Sequence, residues 1–458
     1  MEPLIAQLRQ SIGPESVLTG ADATRRMAPG SRSSVLLLPR DTEDVSRALA
    51  LCHQARRPVV AQGGLTGLVH GAVCGVEEVA LAFDRMRRIE EVDVLNRCLT
   101  AQAGVPLQAA QEAAEEVGLM VPVDLGARGS ATVGGTVATN AGGTRVLRFG
   151  MMREAVLGLE AVLADGTVVD SRGKMLKNNA GYDLKHLFIG SEGTLGLVTR
   201  VVLRLRPLPR GHHTALVAVD GFERLARFLG VMEANLQGEL TSFEVMWRSF
   251  YDLMTTPPSR GRPILPAGCE YYVLVETMGP RAEEGGETLL AALSQAESQG
   301  LIAHSAVATS ALQRREMWGL REELDPLQRT GPVFSYDVSL PLDAMEDYVA
   351  RVKARLAERF GAAHHCHVFG HLADGNLHLS IGAGGSDAHG DVDDIVYGTL
   401  ERRTSSVSAE HGIGLLKKGH LWRSRSEAEL SVMRVLKQAL DPHGILNPGK
   451  VFEVQRPE

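Results

Sequence analysis

The sequence predicts an α+β chain folded as two domains, and three observations carry that expectation. Its 458 residues exceed what one hydrophobic core organises when domains ordinarily run to about 100–200 residues. Strand-like and helix-like periodicities alternate along the chain. A proline-rich stretch from Arg206 to Arg210 separates two regions of different pattern.

Taken in order, residues 1–30 read as a helical start and a turn. Asp41 to Arg57 reads as an amphipathic helix capped by Asp41 or Thr42, with Val45, Ala48, Leu49 and Cys52 on one face. Pro58 to Ala61 is a short buried strand running into the glycine-rich QGGLTGLVHGAVCG. Strand-like CLTAQAG and helix-like PLQAAQEAAEEVG follow, then a second glycine-rich segment from Gly126 to Gly150. LEAVLADGTVVD has the Asp-Gly turn of a hairpin. The third glycine-rich segment, GYDLKHLFIGSEGTLGLVT, leads into the strand RVVLRLRPLP. Beyond the boundary come ALVAVDG, a helix near Phe222 to Leu236, EYYVLVETMG, a helix near Glu283 to Ser298, and VFSYDVSLP. That pattern predicts an α+β domain with antiparallel strands. A helix from about Glu427 leads to DPHGILNPGKVF.

A hydrophobic fraction of 44% and a charged fraction of 22% exclude a disordered or fibrous chain. Net charge of −7 without a basic stretch argues against nucleic acid or an anionic membrane as partner. No apolar run approaches the roughly 20 residues that span a bilayer, and the N-terminus does not read as a signal peptide. The cysteines are five, scattered and without CxxC, which suits a reducing compartment. A cytoplasmic location is therefore expected.

Clustered glycines let backbone amides approach a ligand and form a concavity for an anion such as a diphosphate, although each cluster alone also reads as a turn. No GxGxxG opens a helix after a strand, so a Rossmann site is not supported. GILNPGKV mimics a Walker A loop but has Val451 where Ser or Thr must hold Mg²⁺. In the C-terminal half, HHCHVFGHLADGNLHLS supplies His364, His365, His367, His371 and His378, and SAEHGIG follows with Glu410 and His411. Two imidazoles and a carboxylate make a reasonable shell for a divalent transition metal, with a run of structural histidines as the other reading. The HEXXH pattern of zinc hydrolases is absent.

Taken together and in order, PVVAQGGLTGLVHG, DLGARGSATVGGTVATNAGGTRVLRFG and NNAGYDLKHLFIGSEGTLGLVT resemble the FAD domain of the vanillyl-alcohol-oxidase-like flavoprotein superfamily. GHLADGNLHL and SAEHG resemble the metal motifs of its D-lactate and D-2-hydroxyglutarate dehydrogenase branch, and the likeness runs from about Pro39 to Phe452. It implies a two-domain flavoprotein, with a split α+β FAD-binding domain and an antiparallel-sheet α+β substrate (cap) domain. The expected divisions are residues 1–207 for the FAD domain, 208–426 for the substrate domain with the metal site, and 427–458 returning to the FAD domain.

The resemblance also assigns residues. Gln62, Gly63, Gly64, Leu65, Thr66 and Gly67 would wrap the diphosphate. Asp124, Gly129, Ser130, Thr132, Gly134, Gly135, Thr139, Asn140 and Gly143 would line the flavin and its ribityl chain, with Glu192, Gly193, Gly196 and Asn447 completing the cofactor site. Leu65 stands where Asn is more usual, and His70 lies outside the expected position of a covalent tether, so non-covalent FAD is expected. His371, His378 and Glu410 become ligands of one divalent metal, Zn or Mn, and His411 the base. Arg321, in MWGLREEL, becomes the clamp for the substrate carboxylate, with Ser335, Tyr336 and Asn376 bordering the substrate. His364, His365 and His367 match no role and are expected to be structural or solvent-facing.

Two departures bear on the substrate. Asp325 stands where the 2-hydroxyglutarate enzymes have Thr, and Ser335 where they have Lys. A missing cation and an added carboxylate disfavour a distal carboxylate, so D-lactate or a longer neutral-tailed D-2-hydroxy acid is expected ahead of D-2-hydroxyglutarate. The expected reaction is hydride transfer to flavin giving the 2-oxo acid, with reduced FAD passing electrons to an electron-transfer flavoprotein, a quinone or a cytochrome. The reading leaves room for a homodimer. The alternatives are an oxygen-using 2-hydroxy-acid oxidase, a redox-neutral synthase on the same fold, a non-catalytic flavin-binding subunit, or a zinc-only structural module.

Overall fold

A computed structural model describes residues 1–259, 261–329 and 332–453, so the last five residues of the expected C-terminal segment lie outside the described residues. The chain divides into two compact units. One comprises Met1–Gly143, Gly150–Leu208 and Glu410–Glu458; the other comprises Thr144–Phe149 and Pro209–Ala409. The proline-rich boundary therefore falls at Leu208, close to the expected residue 207. Ser406, Ser408 and Ala409 hydrogen-bond to Ser339 and Asp337 of the second unit's sheet, and the first unit resumes at Glu410, ahead of the expected residue 427. Residues 144–149, expected in the FAD domain, join the second unit, where the Thr144 carbonyl accepts from Ser242 Oγ at 2.5 Å.

Among the described residues the first unit holds three sheets. In the four-stranded one, Val35–Leu37, Val79–Ala82 and Val59–Gln62 run parallel, with Val17–Thr19 antiparallel at one edge. These short strands are nearly continuous apolar runs because both faces are covered: helices Glu2–Ile12 and Thr42–Gln54 pack on one, burying Leu8, Ile12, Val45 and Leu49 completely, and Ala23, Met27 and Cys74 pack on the other against Leu36, Val60 and Ala80. Asp41 caps the second helix by accepting from the Asp44 amide at 2.8 Å. A five-stranded antiparallel sheet follows, in the order Ile89–Asp93, Cys98–Gln102, Leu197–Arg204, Val156–Val162, Val168–Asp170. The last two strands are the hairpin expected around Asp165-Gly166, where Gly166 has φ +91°. A two-stranded ladder joins Leu119–Met120 to Arg206–Pro207.

The C-terminal segment is woven into this unit. The Val59 amide donates to the Ile445 carbonyl at 2.7 Å and the Asn447 amide to the Val59 carbonyl at 2.9 Å, covering the open edge of the four-stranded sheet. The helix Glu427–Leu440 starts with a Ser426/Glu429 capping box. Its Lys437 is buried, and Nζ donates to the Thr194 and Leu446 carbonyls at 2.8 Å each and to Asp441 at 2.5 Å.

The second unit is built on a seven-stranded antiparallel sheet, in the order His304–Val307, Gly211–Val219, Tyr271–Gly279, Leu240–Trp247, His364–His371, Asn376–Ala383, Phe334–Ser339. One face takes Phe250, Tyr251 and Met254 from helix Arg248–Thr255, and Met317 and Leu320 from helix Ala311–Glu322. The opposite face takes Phe228 against Phe243 and Tyr397 against Tyr336. No helix among the described residues is long and apolar enough to cross a membrane.

Lys437→Met should lower the unfolding free energy by about 3 kcal/mol, because it strands a buried carboxylate and two carbonyls. The exposed Arg434→Ala should cost about 0.5 kcal/mol or less. Urea titrations of the two variants check this, and equal midpoints would remove Lys437 from its structural role.

Candidate active site

In the first unit the glycine-rich segments meet backbone to backbone. A Cβ on Gly64 would lie 1.8 Å from the Ser130 carbonyl oxygen, and one on Gly63 would lie 2.7 Å from Thr132 Oγ1. Thr132 caps the helix Val133–Ala138 by accepting from the Gly135 amide at 3.3 Å. Gly134 brings that helix onto Ala103, where a Cβ would meet the Ala103 Cβ at 2.5 Å. Gly143 has φ +107°, and a Cβ there would lie 1.9 Å from the Asp124 carbonyl oxygen. Leu65 takes φ +58° with its side chain exposed, and Thr66, Gly67, Gly129 and Ser130 are exposed beside it. Gln62 is buried; its Nε2 donates to the Ala72 carbonyl at 2.9 Å, while Oε1 has no partner among the described residues. A buried side-chain oxygen without a donor, next in sequence to a glycine-rich loop of exposed residues, fits a hydroxyl- and phosphate-bearing ligand.

Several expected cofactor residues also make bonds within the protein. The Asp124 carboxylate accepts from Gln111 and Arg128, Thr139 Oγ1 donates to the Gly135 carbonyl, and Asn140 Oδ1 accepts from the Arg153 amide. Their side chains shape the loop. Glu192 and Asn447, expected in the cofactor site, brace chain segments against one another. The Glu192 carboxylate accepts from the Ile413 and Gly414 amides at 2.7 and 2.8 Å. Burial pushes its carboxyl above the usual range while those two bonds pull it down. The Asn447 side chain accepts from the Ala61 amide and donates to the Glu192 carbonyl. Gly193 and Gly196 are packing positions, where a Cβ would meet Asn447 Nδ2 at 2.8 Å and the Phe188 ring at 2.6 Å.

In the second unit the expected metal ligands sit on a hairpin. His364–His371 turns through Leu372–Asp374 and Gly375, which has φ +84°, into Asn376–Ala383. The register pairs His371 with Asn376 and Phe369 with His378. Because side chains alternate, His371, His378 and Asn376 share one face, and the two imidazole centroids lie 5.3 Å apart. His365 and His367 share that face further along; His367 Nδ1 lies 2.9 Å from the Ser249 carbonyl and His365 covers Gly382. His364 turns to the Gly361 carbonyl.

Two carboxylates that the sequence reading did not assign stand on the same face. Asp337 pairs in register with His378, its Oδ1 lying 3.9 Å from His378 Nδ1. It accepts from Asn376 Nδ2 at 3.1 Å, Ser408 Oγ at 3.2 Å and the Ala409 amide at 3.1 Å. Glu244 pairs with His371 and accepts from His371 Nδ1 at 2.7 Å and Arg321 Nε at 3.0 Å. The signal for Glu244 was a lone carboxylate in the apolar run TSFEVMW; for Asp337 there was only its place within YDVS.

Arg321, 6% exposed, descends from helix Ala311–Glu322 with its guanidinium 4.7 Å over the Phe369 ring and Nη2 3.4 Å from His371 Nε2. Its remaining amino nitrogen has no hydrogen-bond partner among the described residues, which suits an incoming carboxylate. Burial opposes ionisation of Glu244, but the charges and hydrogen bonds of His371 and Arg321 prevail and hold its carboxyl below the usual range. On the same face, burial prevails at Glu276 and raises its carboxyl despite bonds from Trp318 and Thr214.

Tyr336, expected beside the substrate, lies apart from the histidine face. The pleat that aims Asp337 at His378 turns Tyr336 to the other face, where its hydroxyl donates to Asp393 at 2.6 Å. Ser335 stays on the site face, exposed and opposite Ser380. Glu410 and His411 follow Ala409 directly in the chain, and Glu410 Oε1 accepts from the Gly143 amide at 2.9 Å within the first unit.

Comparison with known proteins places both halves. Residues 33–172 match a family model described as an FAD binding domain, and residues 208–451 match the C-terminal domain of FAD linked oxidases. A mitochondrial D-2-hydroxyglutarate dehydrogenase of Bos taurus is 40% identical over 423 residues, covering 92% of this chain and 77% of that protein. A D-2-hydroxyglutarate dehydrogenase of Xanthomonas citri pv. viticola is 36% identical, covering 99% of this chain and 97% of its own length. A putative mitochondrial D-lactate dehydrogenase of Schizosaccharomyces pombe is 37% identical, covering 92% and 82%. Among solved structures, p-cresol methylhydroxylase superposes with a TM-score of 0.79 at 14% identity, covering 100% of this chain and 98% of that one. Alkyldihydroxyacetonephosphate synthase gives 0.74 at 15%, covering 98% and 84%. These two likenesses concern the fold.

Gly64→Ala should yield a folded protein purified without flavin, because the added methyl cannot coexist with the Ser130 carbonyl unless the loop moves. The visible spectrum and the flavin-to-protein ratio check it, with far-UV circular dichroism as the control for folding; full yellow colour would remove the loop from the cofactor site. With both halves matched in order and a 40%-identical relative spanning nearly all of it, the chain belongs to the FAD-linked oxidases and is a flavin-dependent oxidoreductase.

Proposed function

We propose that the protein is an FAD- and divalent-metal-dependent dehydrogenase that oxidises a D-2-hydroxy acid with a neutral tail, D-lactate or a longer homologue, to the 2-oxo acid. The observation that carries this reading is Arg321, buried beside His371 on the face that also holds His378, with an amino nitrogen left for a carboxylate. His371, His378 and Glu410 would hold the metal, Zn or Mn. The Ala409 amide, bonded to Asp337 next to His378, supports that grouping by tethering the residue before Glu410. FAD, held non-covalently, would accept the hydride, and the metal would lower the pKa of the substrate hydroxyl.

The chain's own residues would do the rest. Arg321 takes the carboxylate and orients the carbon that loses hydride. His411 takes the hydroxyl proton on an imidazole nitrogen. Asn376 borders the site, its Nδ2 held by Asp337 while Oδ1 has no partner among the described residues. The reduced cofactor would pass its electrons to an electron-transfer flavoprotein, a quinone or a cytochrome.

The neutral tail rests on Ser335, exposed on the site face where a lysine would offer a cation. Asp325 contributes little, because it is exposed and its repulsion is screened. A second reading, a dicarboxylate such as D-2-hydroxyglutarate, is favoured by the 40% identity with a relative of that name.

Anaerobic bleaching of the flavin by D- and L-2-hydroxy acids tests the reaction; bleaching by neither enantiomer would sink it. Rapid reoxidation on admitting air would make the protein an oxidase. For the tail, kcat/KM for D-lactate or a longer homologue should equal or exceed that for D-2-hydroxyglutarate, and a strong dicarboxylate preference would select the second reading. His411→Ala should lower kcat by about 10²–10⁴-fold with flavin retained. His371→Ala should lose metal and activity together, and a chelator without effect would count against the metal.

A further inference from the structure

Glu244 takes no part in the chemistry above, yet it touches two residues that do. Each of its carboxylate oxygens serves one of them: Oε1 receives His371 Nδ1 at 2.7 Å and Oε2 receives Arg321 Nε at 3.0 Å. The side chain is 1% exposed, so both oxygens are withdrawn from bulk solvent. An ionised carboxylate only accepts hydrogen bonds, so the His371 proton sits on Nδ1 and the lone pair on Nε2. Arg321 Nη2 lies 3.4 Å from that nitrogen, as a donor aimed at a lone pair would.

We propose that Glu244 is the positioning residue of this site. It fixes the His371 imidazole with Nε2 as its metal-donor atom, and it holds the Arg321 guanidinium over Phe369, so that one buried carboxylate sets both ligand and clamp. The inference rests on the metal-dependent reading above. The neighbouring carboxylates do not share the task. Asp337 is occupied by Asn376, Ser408 and Ala409, and Glu276 by Trp318 and Thr214.

Geometry explains why an amide cannot substitute. In Glu244→Gln one side-chain atom becomes a donor. If the NH₂ faces His371, the ring must carry its proton on Nε2 and loses the donor lone pair. If it faces Arg321, two donors meet and the guanidinium shifts. Either arrangement damages one function.

The test compares the FAD-loaded wild type with Glu244→Gln and Glu276→Gln, titrating zinc against a chelating dye. Glu244→Gln should bind zinc about 10–100-fold more weakly, as is usual when the carboxylate behind a ligating histidine is lost. It should also show a raised KM, with flavin occupancy unchanged, whereas Glu276→Gln should keep wild-type zinc affinity. Equal zinc affinity in Glu244→Gln and wild type would overturn the inference while leaving the metal reading intact. A wild type that binds neither zinc nor manganese would overturn the metal reading, and the inference with it. Should Glu244→Gln fail to fold, the tautomer decides: ¹⁵N spectra of histidine-labelled wild-type protein, with His371 assigned by His371→Ala, should show Nδ1 protonated in metal-free protein. Protonation at Nε2 would overturn the inference.

Discussion

The second unit's site depends on the register of one hairpin. His371 faces Asn376 across the turn at Gly375, and every other residue of the two strands follows from that pairing. Side chains alternate with period two, so a slip by one residue would send His378 to the opposite face, into the layer around Tyr336 and Tyr397. The turn prevents this because Gly375 occupies a left-handed conformation that a Cβ would strain. The neighbouring strands then add Glu244 beside His371 and Asp337 beside His378 without further specification. The site's charge pattern is thus a consequence of strand order.

Local chemistry made much of the architecture legible. The Asp41 cap, the Asp165-Gly166 hairpin and the final helix each announce themselves within a few residues, and each stands where the sequence placed it. The histidines were equally visible. What escaped depends on partners distant in sequence. Glu244 lies 127 positions from His371, and nothing in TSFEVMW states which strand will be its neighbour. Tyr336 was assigned to the substrate because its segment resembled one that contributes there, and only the pleat reveals which of two adjacent residues faces inward. Glu192 and Asn447 were expected in the cofactor site, but their bonds to chain segments more than 200 positions away could not be read locally. The return at Glu410 was hidden for the same reason: it is marked by hydrogen bonds to Asp337 and Ser339, and composition does not change there.

The cofactor unit uses glycine differently from a single phosphate loop. Gly64 and Gly143 are needed because two backbones touch, at Ser130 and Asp124. Those contacts bring the first and second segments into one surface while leaving Leu65, Thr66, Gly129 and Ser130 open. A buried glutamine oxygen without a donor completes it. Glu192 and Asn447 then lock the third segment and the C-terminal segment onto the first. A dinucleotide site of this kind is assembled by long-range packing, which is why no contiguous fingerprint marks it.

That the second unit interrupts the first has a consequence for biosynthesis. A ribosome releases residues 1–208 well before Lys437 and Asn447 exist. Until then the strand Val59–Gln62 exposes an unpaired edge, since its partner at Ile445–Asn447 is still untranslated. An exposed strand edge of this kind is a site for mispairing during folding, so closure of the first unit waits on a segment that lies beyond the whole second unit.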